Sequence, residues 1–326
     1  MSIILKFGGY QGAQSVHSRG VNAFCSALKR SVGDAVTVQF TQDIVADGHK
    51  ASDLLSLTES GELDACYFSS SYLVKRVPDL GLFDQHFVVP DRQQAYAVLD
   101  GALGKRLAQK VAEDTGFAVL GYWDNGLRHI SSARGRIRTP EDCQGLKIRT
   151  LANEDHKRIF RTLGFEPMAI DVRDLPAAVE NLQVDAQENP LTNIFNFELH
   201  KTHRHITLTR HLLGVALVLF NKAAFNSWPA FVQRAVLDAV AEATEMQRGF
   251  AAEDDVKCMD AMRSEGVEIT ELSAAERAMF VAATAGEVAV TRRGFDAGLL
   301  DLFEQDLAGA PAQAQQSATH RAGAPQ

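Results

Sequence analysis

The chain has no long apolar run and no excess of positive charge, and both absences restrict what it can do. Its longest apolar stretch, residues 212–220, is interrupted by Gly214 and is far shorter than the roughly 20 residues that cross a bilayer. The net charge of −8 disfavours a nucleic-acid partner, because neutralising phosphates requires clustered Lys and Arg. With 46% hydrophobic residues, the composition predicts a soluble-type chain with a packed core.

Cysteine is scarce, and the signatures of common enzymes are missing. The four cysteines are too far apart to form a Cys-x-x-Cys pair, so buried free thiols are expected rather than a zinc or redox motif: Cys25, Cys66, Cys143 and Cys258. The sequence contains no P-loop, no Gly-x-Ser-x-Gly nucleophile elbow, no His-Glu-x-x-His and no Gly-x-Gly-x-x-Gly. We therefore expect no cofactor and no metal.

A secretory signal is also missing from the N-terminus. Met1 and Ser2 lead directly into the strand-like residues 3–7, with no basic region and no small-residue cleavage site. Two explanations stay open: the chain is a processed form with a new start, or it is never exported.

Strand-like and helix-like segments alternate along the chain. Residues 36–40 have the apolar alternation of a strand, and residues 52–60 form a helical pattern that ends at Gly61. Short connections between helix and strand are typical of parallel sheets covered by helices. Pro229 is placed to begin a long helix that bridges two halves, and Ser273 with Glu276 forms a capping box.

The length of 326 residues favours two domains over one. The sequence therefore predicts an α/β fold with two lobes, each a mostly parallel sheet covered by helices. The tail lacks bulky apolar residues, so it is expected to be disordered. The predicted limits are residues 1–125 with 214–254 for lobe I, 126–213 with 255–308 for lobe II, and 309–326 for the tail.

Histidines and carboxylates supply further candidates by residue type. His200, His203 and His205, with His211 further on, could share a metal ion, but a polar loop exposed to water is the favoured interpretation. Solvated or capping roles are favoured over acid–base catalysis for four carboxylates without a visible partner: Asp43, Asp64, Asp185 and Glu188.

Two blocks of sequence are the most specific feature. The first reads Gly-Leu-Arg at 126–128 and Thr-Pro-Glu-Asp-Cys-Gln-Gly-Leu-Lys-Ile-Arg at 139–149. The second reads Leu-Gly-Phe-Glu-Pro at 163–167 and Val-Asp-Ala-Gln-Glu-Asn-Pro at 184–190. Together they resemble the extracytoplasmic solute receptors of tripartite ATP-independent periplasmic (TRAP) transporters, the DctP-type family, over roughly residues 3–307.

The resemblance implies a two-lobe fold of the periplasmic-binding-protein kind, and a binding protein rather than an enzyme. Such a receptor closes two lobes around a small organic acid and delivers it to the permease subunits of a TRAP transporter. The chain is expected to be a monomer and to have no nucleic-acid partner. The location would be the periplasm if a leader has been removed, and the cytoplasm if Met1 is the native start.

Arg149 is the main candidate for holding the ligand. It follows the strand at residues 146–148, and ligands of open α/β sheets collect at the carboxyl ends of strands. The planar guanidinium matches a carboxylate with two parallel hydrogen bonds. The alternative is a surface ion pair with a neighbouring Asp or Glu.

The resemblance implies roles for further residues. Arg128 would supply a second cationic contact and Asn189 an amide contact, although Asn189 could instead cap the turn before Pro190. Trp123 could add an apolar wall, with core packing as its alternative. The remaining pocket positions are Tyr10, Ser69, Tyr72 and Val172.

The residues at two of these positions restrict the ligand. Sialic-acid-binding members of the family have Glu and Arg where this chain has Ser69 and Tyr72. A sugar acid of that kind is therefore not expected, and the favoured ligand is a carboxylate with a modest, partly apolar or aromatic body.

Two rival hypotheses remain. The fold could serve a cytoplasmic sensor or binding module, which the missing signal permits. It could also serve a two-lobe α/β enzyme, although the missing cofactor motifs disfavour this.

Overall fold

Strands and helices alternate through most of the chain in the computed structural model, which describes residues 3–89 and 91–310. The strands are β1 (Ile3–Gly8), β2 (Val36–Thr41), β3 (Ala65–Ser69), β4 (Phe117–Ser132), β5 (Lys147–Thr150), β6 (Glu166–Ala169), β7 (Ala186–Pro190), β8 (His205–Asn221) and β9 (Glu268–Glu271). The helices are α1 (Val16–Val32), α2 (Asp53–Ser60), α3 (Arg92–Asp100), α4 (Ala102–Asp114), α5 (Glu154–Thr162), α6 (Leu175–Glu180), α7 (Leu191–Asn196), α8 (Lys222–Ser227), α9 (Ala230–Ser264), α10 (Ala274–Arg292) and α11 (Ala297–Gly309).

The strands join in the order β2-β1-β3-β8-β4-β7-β5-β6, with β9 on β8. At one end β1 pairs in parallel with β2 and β3, and at the other end β5 pairs in parallel with β6 and β7. The long strands β4 and β8 are antiparallel and pass through both halves. The predicted two-lobe α/β architecture is confirmed.

Four apolar cores lie within the ranges that the structure describes. The largest surrounds β1 and β3 and takes in α1, α4 and the first turns of α9. Of the three smaller cores, one lies around α6 and α7, one around β5 and α5, and one where α3 meets β4 and β8. The predicted lobe limits stay predictions. Leu299 and Phe303 of α11 belong to the largest core, where α11 packs on α3 and α4.

Local signals placed two helix starts correctly. Pro229 directly precedes the 35-residue helix α9, and Ser273 and Glu276 form the predicted capping box at the start of α10. Helix α6 begins at Leu175, four residues after Asp171. The Asp171 carboxylate accepts a hydrogen bond from the backbone N–H of Arg173, in the turn before the helix.

Irregularities in β4 lie where the two halves meet. The register of β4 against β8 shifts between Asp124 and Leu127 and again between Arg128 and Ile130. Gly126 has φ +82°, and a Cβ there would lie 2.4 Å from Cβ of Pro190. A glycine is therefore required before Arg128 for β4 to approach the end of β7 this closely.

The predictions for the cysteines, for membrane-spanning segments and for the tail concern separate parts of the chain. All four cysteines are free, and three are buried and Cys25 partly so, as expected. Among the helices of the described ranges, none is long and apolar enough to cross a bilayer. The tail predicted to be disordered falls outside the described residues from 311 onward, and Gly309 is still the last residue of α11.

Candidate functional site

Most of the predicted site residues lie at or beyond the carboxyl ends of strands, whereas Arg128 and Trp123 lie within β4. Tyr10 follows β1, Ser69 ends β3, and Tyr72 lies in the 3-10 turn after it. Arg149 is the third residue of β5, and Asn189 is the fourth of β7. Because β1 is parallel to β3 and β5 is parallel to β7, each half presents these residues at one edge of its sheet.

Arg149 is buried without a carboxylate partner. Arg149 is 1% exposed, and its Nε and Nη2 donate to the carbonyl oxygen of Ile170 at 3.0 and 2.9 Å. Within the ranges that the structure describes, no Asp or Glu oxygen lies within 4.0 Å of its guanidinium nitrogens. A guanidinium has five N–H donors, so the bonds to Ile170 leave most of the fork available.

Arg128 has the opposite surroundings. It is also 1% exposed, but its Nε donates to Oε2 of Glu188, and its Nη2 donates to Oε1 and the carbonyl oxygen of Glu188 at 2.9 and 2.8 Å. Thr150 donates its hydroxyl to Oε1 of the same carboxylate at 3.0 Å. The cation predicted as a second ligand contact is thus balanced by a carboxylate of the protein itself.

Glu188 corrects the expectation of a solvated or capping carboxylate. It is completely buried in β7, and the Nε2 of His211 also lies 3.4 Å from its Oε2. Burial alone would raise the pKa of this carboxyl group, but the charge of Arg128 and the hydrogen bonds from His211 and Arg128 hold the pKa well below its ordinary value. Glu188 is therefore an ionised group in the interior.

Aromatic side chains accompany the two arginines. The ring of Phe68 lies 5.3 Å from the ring of Tyr10 and 4.9 Å from that of Tyr72, measured between centroids. Burial raises the pKa of both tyrosines, and the positive charges of Arg149 and Arg128 oppose this rise. The structure thus brings Tyr10, Tyr72 and both guanidiniums within electrostatic reach of one another.

A chain of amides joins the loop after β1 to the second half. Asn189 donates from Nδ2 to Oε1 of Gln187 at 2.6 Å, and its Oδ1 lies 3.4 Å from Nδ2 of Asn193. Gln11 donates from Nε2 to Oδ1 of Asn193 at 3.3 Å. The sequence interpretation missed Gln11 and Asn193, although Gln11 adjoins Tyr10 and Asn193 lies four residues after Asn189, in the first turn of α7.

The other predicted residues lie at the edges of this arrangement. Val172 follows β6 but packs against the largest core, which belongs to the opposite half of the sheet. Ser69 is 6% exposed. Trp123 is buried between α1 and α9, donates to Thr244 Oγ1 at 3.1 Å, and stacks on His17. These are contacts of core packing, the alternative left open for Trp123, and a ligand contact stays a prediction.

The histidines after α7 are not an exposed loop. His200, His203 and His211 are each at most 2% exposed, and His200 contacts Glu265 while His203 contacts Ser131. The expectation of a water-exposed loop is wrong for these three, because residues distant in sequence supply their partners. In the part of the chain that the structure describes, no group of three or more His, Cys, Asp or Glu side chains has a geometry that could hold a metal ion.

Comparisons with known proteins agree with this geometry. Residues 7–291 match the family model for bacterial extracellular solute-binding proteins, family 7. A solute-binding protein of Verminephrobacter eiseniae is 30% identical over 84% of this chain and 80% of the relative. The 2,3-diketo-L-gulonate-binding periplasmic protein of Escherichia coli is 31% identical over 67% of this chain and 66% of its own length.

A solved structure extends the agreement to the fold. A TRAP periplasmic solute-binding protein from Bordetella bronchispeptica, whose ligand density is interpreted as pantoate, superposes with a TM-score of 0.87 at 26% identity. The match covers 95% of this chain and all of that one. The family and the fold of the present chain are therefore those that the two sequence blocks predict.

Proposed function

This chain belongs to family 7 of the bacterial extracellular solute-binding proteins, and we propose that it captures a small organic acid with one carboxylate for a TRAP permease. Members of the family are solute receptors that work outside the cytoplasmic membrane. We place this chain there as well, as a monomer whose ligand is bound and released without any bond being made or broken.

The observation that carries the proposal is the buried guanidinium of Arg149. A buried charge is costly unless it is paired, and within the described ranges no carboxylate of the protein pairs with it. A ligand carboxylate would supply the missing partner with two parallel hydrogen bonds. Each such charge-assisted bond contributes about 1.5–3 kcal/mol.

The count of uncompensated charges favours one carboxylate over two. Of the two arginines, Arg128 is already neutralised by Glu188, so only Arg149 is left to balance a ligand anion. The second carboxylate of a dicarboxylate would meet neutral hydroxyl and amide groups and would be desolvated without a counter-ion.

The neighbours of Arg149 suit a ligand body with hydroxyl or carbonyl groups. Tyr10 and Tyr72 present hydroxyls and aromatic faces, and the amides of Gln11, Asn189 and Asn193 can donate and accept. The names of the Escherichia coli relative and of the Bordetella structure, with 2,3-diketo-L-gulonate and pantoate, support this class of ligand.

Capture would proceed by closure of the two halves. The ligand carboxylate docks on Arg149 while the gap is wet, and the halves then rotate about the irregular region of β4 and β8. The bond between Gln11 and Asn193 joins opposite sides of the gap, so it belongs to the closed arrangement. Closure excludes water and strengthens the bonds to the carboxylate.

A thermal-shift and calorimetric panel tests the proposal. It contains pantoate, D-galactonate and D-erythronate, which have one carboxylate, and succinate, which has two. We expect at least one of the first three to raise the unfolding temperature and to bind more tightly than succinate, because Arg149 alone is uncompensated.

Arg149→Lys is the matched variant, because it keeps the charge and removes the fork. We expect it to abolish the ligand-induced shift and to leave the unliganded unfolding temperature close to that of the wild type. An unchanged ligand shift in Arg149→Lys would exclude Arg149 as the carboxylate site, and tighter binding of succinate would exclude the single-carboxylate assignment.

A further inference from the structure

Three buried histidines form a column beside the candidate site. The ring of His86 is stacked on that of His211, with centroids 5.3 Å apart and planes 12° apart. On its other side it meets the ring of His156 edge-on at 4.8 Å. Phe160 of α5 packs edge-on against both His86 and His211. We name His211, His86 and His156 the imidazole column.

The column lies where two cores meet. Phe83 belongs to the largest core, whereas Phe87, four residues later, packs against the core around α5. The backbone N–H of Phe87 donates to the carbonyl oxygen of His211 at 2.6 Å. The short segment that carries His86 therefore spans from one half of the molecule to the other.

Asp84 fastens this segment on both sides. Its carboxylate accepts from the hydroxyl of Ser71 at 2.8 Å and from Nδ2 of Asn153 at 3.0 Å. Asn153 is the N-cap of α5, and His156 lies in the first turn of that helix with its Nε2 3.4 Å from Asp84. The contact thus joins the turn after β3 to the start of α5.

At its other end the column reaches the pair at the candidate site. His211 accepts at Nδ1 from the hydroxyl of Thr209 at 2.7 Å, so its Nε2–H points toward Glu188. Glu188 in turn holds Arg128. The ring of His86 therefore supports, through His211, the carboxylate that fixes Arg128.

This arrangement fits a neutral His86. Its Nδ1 donates to the carbonyl oxygen of Asp84 at 3.1 Å, and its Nε2 has no hydrogen-bond partner among the described residues. Burial, and then the neighbouring imidazoles, lower the pKa of His86 well below its ordinary value, and burial also lowers that of His211 against the opposing bond to Glu188. The charged and titratable groups facing the column among the described residues are Asp84, Asp155, Glu188, Arg128, His129 and the three imidazoles themselves.

We propose that His86 is a positioning residue for ligand capture, joining the two halves while it is neutral and releasing them when it is protonated. The inference rests on the proposed function, because capture is its first readout. When the two halves separate and the rings of the imidazole column move apart, His86 is exposed to water and its pKa returns to about 6.5. The joined form binds fewer protons, so capture is strongest above about pH 6.5 and weakens as the pH falls.

Calorimetric titration with pantoate, from about pH 8 to about pH 5.5, tests this. The pantoate carboxylate stays ionised throughout, since ordinary carboxyl groups titrate near pH 3.5. For the wild type we expect Kd to rise by up to about tenfold for each pH unit below about 6.5, if one proton is involved. In His86→Phe, which keeps an aromatic ring but cannot be protonated, Kd should not rise. His86→Gln serves if the Phe variant does not fold.

His203→Gln is the control. His203 is buried and has a pKa lowered to about 4, but it contacts Ser131 and lies outside the column. It should keep the wild-type slope, and loss of the slope there, a flat wild-type profile, or an unchanged slope in the His86 variants would overturn the proposal.

A measurement without ligand separates this proposal from the function itself. If pantoate does not bind at any pH, the function is judged by the wider acid panel, and the column by small-angle scattering of the unliganded protein. We expect the radius of gyration to increase on acidification in the wild type and to stay constant in His86→Phe. An equal radius of gyration at both pH values in the wild type would overturn the role of His86.

Discussion

The surroundings of Arg128 and of Arg149 differ in one respect that decides their roles. Both arginines are 1% exposed, and both are carried by strands, Arg128 by β4 and Arg149 by β5. Arg128 is paired with Glu188, whereas Arg149 donates to the backbone carbonyl of Ile170 and, among the residues that the structure describes, pairs with no carboxylate. Burial alone does not distinguish the two arginines, and the presence of a protein counter-ion does; the proposed ligand role of Arg149 rests on this difference.

The two surroundings also differ in what they demand of a ligand. The charges of Arg128 and Glu188 compensate each other. The pair can therefore position neighbouring groups such as Asn189, whose Oδ1 lies 3.4 Å from the guanidinium of Arg128. In the proposed function, the charge of Arg149 is compensated only when a ligand anion binds. Changes at the first arginine should therefore act on stability, and changes at the second should act on affinity.

The largest effect is expected for Arg128→Met in the unliganded protein. Removing the cation leaves the carboxylate of Glu188 buried and uncompensated, which costs about 3–5 kcal/mol of the free energy of unfolding. Urea unfolding, monitored by circular dichroism, measures this loss.

The double variant Arg128→Met with Glu188→Leu sharpens the same test. It removes both charges together, and replacing a buried ion pair by apolar residues is often neutral. Most of the lost free energy of unfolding should return. A single variant that loses less than about 1 kcal/mol would mean that Arg128 and Glu188 behave like an exposed pair.

Features governed by near neighbours in sequence were predictable. The start of α9 after Pro229 and the capping box of Ser273 and Glu276 follow from rules that act within one helical turn. The position of Arg149 at the end of a parallel strand was also predictable, because the strand itself is visible in the sequence.

Features governed by residues distant in sequence were not predictable. Arg128 and Glu188 are 60 positions apart, and no local pattern indicates that they pair. His200, His203 and His211 were expected to be exposed because the partners that allow their burial come from segments distant in sequence. The bulges that place Arg128 depend on the pairing of β4 with β8 and β7, which only the folded sheet determines.

A smaller effect is expected for Tyr72→Phe, which removes one hydroxyl near Arg149. If ligand groups bind on that side, the lost hydrogen bond should weaken affinity by about 0.5–1.5 kcal/mol, roughly two- to twelvefold in Kd. Isothermal titration with the acid that binds best in the panel measures the change.

Tyr122→Phe is the matched control for this substitution. The hydroxyl of Tyr122 donates to the carbonyl oxygen of Gly104, away from both arginines, at 2.6 Å. Its loss should lower the free energy of unfolding and leave Kd unchanged. Equal affinity of the wild type and Tyr72→Phe would argue that the ligand does not contact the Tyr72 hydroxyl.

The smallest effect is expected for the stability of unliganded Arg149→Met. Two opposing changes arise: the bonds to Ile170 are lost, and an unpaired buried charge is removed. Because these changes oppose each other, we expect the free energy of unfolding to stay within about 1 kcal/mol of the wild type, in contrast to Arg128→Met. A loss of about 3 kcal/mol or more in urea unfolding would indicate that Arg149 has a stabilising partner in solution, and the distinction between the two arginines would then fail.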